Sequence, residues 1–162
     1  MKLSKDIIEA LNNQMIMEYQ ASINYLAMAN YAQYKGYDVA YAWLDAQHEE
    51  EIVHGEKIRM FLLDNGIQPK LGALETPPNE FKGIIDLLKV ALAQEKDVTA
   101  SIDKIMKLAK KEENYRCEIF IGWYVTEQIE EETTFETLID KCEKVGEKEL
   151  FKFEKQIFVI GE

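Results

Sequence analysis

The sequence predicts an all-α fold: a four-helix bundle with a long crossover between helices 2 and 3 and a short C-terminal fifth helix. Four long stretches carry hydrophobic residues at helical spacing, and no stretch shows the alternation typical of a strand. All three prolines lie in one segment, IQPKLGALETPPNE, at 67–80. The 162 residues are enough for one substantial core, so we expect residues 1–162 to form a single domain.

The first two helices have clear end signals. Ser4 can cap the N-terminus of helix 1, and Gly36 suits its C-terminus because glycine readily adopts the left-handed conformation found there. Asp38 can cap helix 2, which is predicted to run to Gly66 with Pro69 just beyond. The proline-containing segment then forms the only long irregular connection, which is the expected crossover.

The remaining helices also have end signals in the sequence. Asn79 or Glu80 is predicted to open helix 3, which ends in a basic run at 107–111 that suits the negative end of the helix dipole. Helix 4 is predicted to start near Asn114 and to end before Gly146. A short amphipathic helix at 147–160 follows. Leu150, Phe153, Ile157 and Ile160 are predicted to lie on one side of it.

The charge of the chain narrows the range of partners. The net charge is -11 at pH 7, which argues against nucleic acid because phosphate binding needs clustered Lys and Arg. Cations are the more natural ligands. No apolar run approaches the roughly 18 residues of a membrane span, and no basic stretch leads into an apolar one as in a signal peptide. We therefore expect a cytoplasmic protein with no membrane partner.

Each long helix carries one glutamate where a hydrophobic residue is expected. Residues seven apart share a helix face. Glu18, Glu51, Glu95 and Glu131 each have a hydrophobic residue seven positions before and seven positions after. Because all four lie near mid-helix, antiparallel packing would gather their carboxylates at one level of the core.

Such a layer of buried anions requires a compensating positive charge, since an unpaired buried charge costs several kcal/mol or becomes protonated. No Lys or Arg occupies the same stripes, so a metal is the expected counterion. Glu51 and His54 also form Glu-x-x-His, whose spacing aims both side chains at one ion inside a bundle. Carboxylates with one imidazole suit iron or manganese better than structural zinc. The pattern predicts a dinuclear carboxylate site.

Other interpretations of these residues stay open at this point. Runs of glutamate are usually solvated, and Glu49 and Glu132 fit that description. His48 is taken as a surface residue, and Tyr25 and Trp123 also suit simple core packing. The same four helices could build a di-iron oxygenase or a manganese-dependent oxidase. A helical interaction module whose acidic stripe binds a basic partner is the remaining alternative.

The chain resembles the bacterial non-haem ferritins, within the ferritin-like di-iron family. The matching pieces lie on all four long helices: Glu18 with Tyr25, HEEEIVH at 48–54, QEKD at 94–97 and WYVTEQIEEE at 123–132. The resemblance implies a ferroxidase centre that oxidises Fe(II) with dioxygen or hydrogen peroxide. In it Glu18, Glu51 and His54 hold one iron, Glu51 bridges, and Glu95 and Glu131 hold the second.

The resemblance also implies features around that centre. Tyr25 and Gln128 are expected beside it, and the tyrosine can take part in supplying electrons. Glu50, Glu127, Glu130 and Glu131 match a third iron site. The family assembles as hollow shells of twenty-four subunits that store and detoxify iron as Fe(III) mineral. Haem is not expected, because Ile52 replaces the haem-ligating methionine of bacterioferritins and helix 4 lacks their second Glu-x-x-His.

Overall fold

The computed structural model describes residues 2–159, and within them it contains helices and no strand. Four long helices and one short helix occur in the predicted order, so the predicted all-α class is confirmed. A single 3-10 turn at Glu147–Glu149 precedes the last helix. The helices are α1 Lys5–Tyr34, α2 Asp38–Asp64, α3 Ile84–Lys111, α4 Tyr115–Val145 and α5 Leu150–Ile157. None of the described helices is long and apolar enough to cross a membrane.

The long helices pair as α1 with α2 and α3 with α4, and each pair is antiparallel. Side-chain contacts show the direction, because rising residue numbers in one helix meet falling numbers in the other. These contacts are Tyr19 with Glu56, Ser22 with His48, Lys89 with Glu143 and Thr99 with Glu132. The pairing places the middle of every long helix at the same height in the bundle.

The crossover at 65–83 runs along the outside of α1. Near its start the Lys70 amide donates to Asn12 Oδ1 at 2.7 Å, and near its end the Phe81 carbonyl accepts from the Tyr31 hydroxyl at 3.0 Å. The segment therefore climbs from the first third of α1 to its last turns. Because of this path, α3 starts beside the C-terminal end of α1 and runs antiparallel to it.

Two predicted helix starts were wrong. Helix α3 begins at Ile84, not at Asn79 or Glu80, and the side-chain amide of Asn79 instead donates to the Pro77 carbonyl. The first amides of α3 are capped from a distance, since the Glu147 carboxylate accepts from Ile84 N at 2.6 Å and from the next amide at 3.0 Å. Because the capping residue is 63 positions further along the chain, the sequence around Ile84 does not show where α3 begins.

Helix α2 shows the same arrangement. Asp38 is its first helical residue rather than its cap, and the capping residue, Tyr37, makes no side-chain capping bond. The Glu154 carboxylate accepts from the Val39 and Ala40 amides at 3.0 and 3.2 Å instead. Ser4, by contrast, caps α1 as predicted. Carboxylates of the C-terminal segment thus fasten that segment to the starts of α2 and α3.

Helix α5 buries part of the face that its pattern predicts. Leu150 and Ile157 are buried, whereas Phe153, which was predicted on the same side, is 43% exposed in the single chain. The helix is eight residues long, and Phe153 lies about 60° around its axis from Leu150, at the edge of the buried side. The fourth predicted position, Ile160, lies outside the described residues.

The hydrophobic core consists of two clusters separated by a polar layer. One cluster holds Tyr25, Trp43 and Phe135 at one end of the bundle, and the other is formed by residues such as Met15 and Ile58 at the other end. In every long helix the change from one cluster to the other falls at the stripe glutamate. This division places the buried carboxylates together at mid-height.

Candidate metal centre

The four stripe glutamates are all buried in the layer between the two hydrophobic clusters. Glu18, Glu51, Glu95 and Glu131 are 1%, 2%, 0% and 6% exposed. His54 lies in the same layer and is 2% exposed. The stripe therefore faces the interior as the heptad spacing predicts, and a basic protein partner cannot reach it. This burial removes the helical interaction module as an explanation of the acidic stripe.

The most compact donor group spans α1 and α2. Glu18, Glu51 and His54 each offer an oxygen or nitrogen atom, and these atoms lie within 4.8 Å of one another. Within the group, His54 Nδ1 is 3.2 Å from Glu51 Oε2. Because three different donors converge from two helices in a buried position, one metal ion can bind all of them with little rearrangement.

Neighbouring polar groups hold this donor set in place. Gln14, one turn before Glu18 on α1, donates from Nε2 to Glu18 Oε1 at 2.8 Å. The Tyr124 hydroxyl donates to the backbone carbonyl of His54 at 2.6 Å. Neither residue was singled out from the sequence. Gln14 could have been found from its spacing of four residues before Glu18, whereas Tyr124 was counted only as a hydrophobic stripe residue.

Glu95 is held by two of the predicted neighbours. The Tyr25 hydroxyl donates to Glu95 Oε1, and Gln128 Nε2 donates to Glu95 Oε2 at 3.1 Å. The structure therefore brings Tyr25 and Gln128 beside the buried carboxylates. Glu95 and Glu131 belong to neither of the compact donor groups found among residues 2–159, so they form a looser half of the layer.

A second compact group extends outward from the first. Glu50, His54 and Glu127 offer donor atoms within 4.8 Å of one another, and His54 Nε2 lies 3.9 Å from Glu127 Oε1. The two groups share His54, whose ring nitrogens face opposite sides. Glu130, the remaining residue that the resemblance assigns to a third site, is exposed and belongs to neither group.

Burial dominates the electrostatics of this layer. It raises the pKa of Glu18 well above the usual range, with further help from Glu51. The pKa of Glu51 is raised in the same way, first by burial and then by Glu95. Burial and the negative charge of Glu95 raise the pKa of Glu131 to about 8. At neutral pH the metal-free layer therefore holds protons that a cation must displace.

This protonation leads to a prediction about metal binding. Binding of Zn(II) or Co(II) at pH 7 is expected to release at least about one proton per ion, because metal ligands must be deprotonated. The release is expected to shrink as the pH rises past about 8, where Glu131 loses its proton unaided. Calorimetric titration in two buffers of different ionisation enthalpy measures it. Equal heats in both buffers at pH 7 would contradict the prediction.

One histidine differs from its predicted place. His48 was taken as a surface residue, but it is only partly exposed, and its Nδ1 lies 2.8 Å from Ser22 Oγ and 2.9 Å from the Ser22 carbonyl. These contacts tie α2 to α1 just under one helical turn before Glu51. The predicted solvent exposure of Glu49 is confirmed, and Glu132 is half-buried and accepts from Thr99.

A four-helix bundle with a long crossover and a buried layer of carboxylates around one imidazole defines a class of metal-binding bundle proteins. Comparison with known families identifies the member of that class. Residues 8–145 match the family model "Ferritin", described as a ferritin-like domain. The chain belongs to the ferritin family, so the resemblance seen in the sequence is confirmed.

Curated relatives and solved structures agree with this assignment. The chain is 39% identical over 157 residues to the bacterial non-heme ferritin of Staphylococcus haemolyticus, covering 96% of this chain and 95% of the relative. It is 34% identical over the same length to that of Staphylococcus aureus. The solved open-pore ferritin of the archaeon Archaeoglobus fulgidus superposes with a TM-score of 0.94 at 30% identity, over 99% of this chain and 100% of that one.

Proposed function

We propose that this protein stores and detoxifies iron: it binds Fe(II), oxidises it at a ferroxidase centre within each subunit, and keeps Fe(III) as mineral inside a shell of twenty-four subunits. The observation that carries this proposal is the buried layer of four glutamates with His54 in a chain of the ferritin family. A layer of that charge is costly without cations. Iron is the substrate of the reaction, and no haem is assigned.

Two iron positions account for the buried ligands. Glu18, Glu51 and His54, the compact group, hold the first ion. Glu95 and Glu131 hold the second, and Glu51, which is buried in the same layer, bridges the two. Carboxylates prefer the harder Fe(III), which lowers the cost of oxidation. The second position lacks an imidazole, so it releases its ion more readily, as storage requires.

The oxidation balances with two ferrous ions. Each ion gives one electron, and the pair with two protons reduces dioxygen to hydrogen peroxide, or hydrogen peroxide to two molecules of water. Reduction of dioxygen to two molecules of water takes four electrons and four protons, and Tyr25 can supply one electron and one proton beside three ferrous ions. Its hydroxyl donates to Glu95, so the proton can pass to that carboxylate as the ring is oxidised. Gln128 orients the same carboxylate from the opposite side.

The second donor group suits a third iron position on the way out of the centre. Glu50 and Glu127 share His54 with the first group, and both are only partly buried. Glu130 is exposed one turn along the α4 surface and continues the acidic path. Iron can therefore pass from the buried layer to less buried carboxylates without crossing the hydrophobic clusters.

Substitution of Glu95 tests the proposal. In Glu95→Ala, the initial rate of Fe(II) oxidation is expected to fall by about 100-fold, because one ligand of the second ion is lost and Tyr25 and Gln128 lose their acceptor. Anaerobic Fe(II) titration is expected to show about one fewer ion bound per subunit. Lys96→Ala, next to it on the exposed side of α3, is the control, and a sizing column checks that both variants assemble. Unchanged stoichiometry and rate in Glu95→Ala would contradict the assignment.

A further inference from the structure

The contact between Tyr19 and Gly55 joins α1 and α2 at the level of the candidate metal centre. Tyr19 directly follows Glu18, and Gly55 directly follows His54. The tyrosine ring lies against the glycine so closely that a Cβ at position 55 would stand 2.6 Å from Tyr19 Cε1 and 2.9 Å from Cδ1. No side chain of any size fits at that position without movement of the ring or of the helices.

Both polar and hydrophobic contacts hold the ring in place. The Tyr19 hydroxyl donates to Glu56 Oε1 at 2.6 Å. Arg59 in turn donates to both oxygens of the Glu56 carboxylate, from Nε at 2.8 and 2.9 Å and from a terminal nitrogen at 2.6 Å. Tyr19 also packs against the hydrophobic cluster of that half of the bundle. The ring is therefore held at both its edge and its hydroxyl.

We propose that Tyr19 and Gly55 are positioning residues that set the spacing between α1 and α2 at the first iron position. This inference rests on the proposed function. Glu18 comes from α1, whereas Glu51 and His54 come from α2, and the three donor atoms lie within 4.8 Å of one another. Metal–ligand bonds tolerate errors of only about 0.2 Å. The ring acts as a spacer: it holds the two helices at the distance at which one ion can contact donor atoms from both.

A methyl group at position 55 tests the spacer. Gly55→Ala is expected to lower the affinity for Co(II) by roughly 10- to 100-fold, since a misplacement of about 1 Å in a site costs about 100-fold in function. The visible absorption of bound Co(II) is expected to change, because it reports coordination geometry. In Fe(II) oxidation the concentration for half-maximal rate is expected to rise more than the maximal rate falls.

Another helical glycine provides the matched control. A Cβ at Gly122 in α4 meets no atom within 4 Å, so Gly122→Ala adds the same methyl group to a helix without a clash. Its Co(II) affinity and spectrum are expected to equal those of the wild type. Any general effect of replacing a helical glycine by alanine is thereby separated from the effect at position 55.

Removal of the ring completes a double-mutant cycle. Tyr19→Leu takes away the spacer without adding an atom at position 55, and it is expected to weaken Co(II) binding by itself. Gly55→Ala combined with Tyr19→Leu is expected to bind Co(II) more tightly than the product of the two single losses predicts, because the added methyl group then has room. Tyr19→Leu also keeps the test open if Gly55→Ala does not assemble.

The outcomes distinguish this inference from the proposed function. A wild-type protein that binds no Co(II) at the buried layer would overturn the proposed function itself. If the wild type binds Co(II) and both single variants bind it with the same affinity and spectrum, the positioning role is overturned. Strictly additive losses in the double variant would also overturn it, because they would show that the ring and the methyl group do not compete for space.

Discussion

Replacement of Glu51 by glutamine is expected to lower the affinity for the first metal ion by at least about 100-fold while it stabilises the metal-free protein. Both effects have one origin. Glu51 is buried, its Oε2 lies 3.2 Å from His54 Nδ1, and it is the carboxylate that we propose as the bridge between the two ions. Removing the charge removes a bridging ligand, and loss of even an outer partner of a metal ligand costs about 10- to 100-fold in affinity.

The gain in stability depends on pH, and its sign follows from the raised pKa. Folding raises the pKa of Glu51 above its ordinary value near 4.5, chiefly through burial. The folded state therefore binds more protons than the unfolded state, and the wild type loses stability as the pH rises above that ordinary value. Glutamine carries no such penalty. We expect the variant's advantage to be smallest below pH 4.5 and to grow as the pH rises above that value.

Two measurements on metal-free protein, prepared with a chelator, check this prediction. Thermal unfolding at pH 5 and at pH 8 gives the difference in stability, and a Co(II) titration gives the loss of affinity. Glu49→Gln is the matched control, because Glu49 lies in the same run of three glutamates but is exposed. A Glu51→Gln protein that is less stable than the wild type at pH 8 would show that the carboxylate is compensated within the protein itself.

The heptad pattern alone predicts most of the residues of the centre. Each of the four helices has a glutamate in its hydrophobic stripe, and this is visible from the helical period and the charge of the side chain. Both can be taken from a short stretch of sequence. Their convergence needed only the assumption of antiparallel packing, and Glu18, Glu51, Glu95 and Glu131 are indeed buried together. His54 followed from its spacing to Glu51.

The pattern could not predict contacts between segments that are far apart in the chain. Glu147 caps α3 and Glu154 caps α2, so capping residues near the start of α3 predict the wrong first residue for that helix. The same limit applies to Gly55, which reads as a weak helix position until the ring of Tyr19 is placed against it. Such pairings depend on helix rotation and crossing, which periodicity leaves open to within a few tens of degrees.

The second large effect is expected from the aromatic residues that pack beside the centre. Phe135 on α4 is fully buried, and its ring is nearly parallel to that of Tyr25, with centroids 5.9 Å apart and planes at 9°. On its other side it meets Trp43 edge to face, at 5.3 Å and 79°. Tyr25 in turn donates to Glu95. The Phe135 ring thus packs in the hydrophobic cluster and also against Tyr25, whose hydroxyl contacts Glu95, a ligand that we propose for the second iron.

Phe135→Ala is therefore expected to lower the free energy of unfolding by about 3 to 5 kcal/mol, which is the usual cost of truncating a buried phenylalanine. In a chain of this size the unfolding temperature should fall by roughly 6 to 20 °C. Calorimetry at matched subunit concentration measures the shift, and Tyr34→Ala, at an aromatic residue 85% exposed, is the control. Because the cavity also frees the Tyr25 ring, Fe(II) oxidation at a temperature where the variant stays folded should slow. A loss of stability with oxidation at the wild-type rate would show that Glu95 is held without the tyrosine, through Gln128 alone.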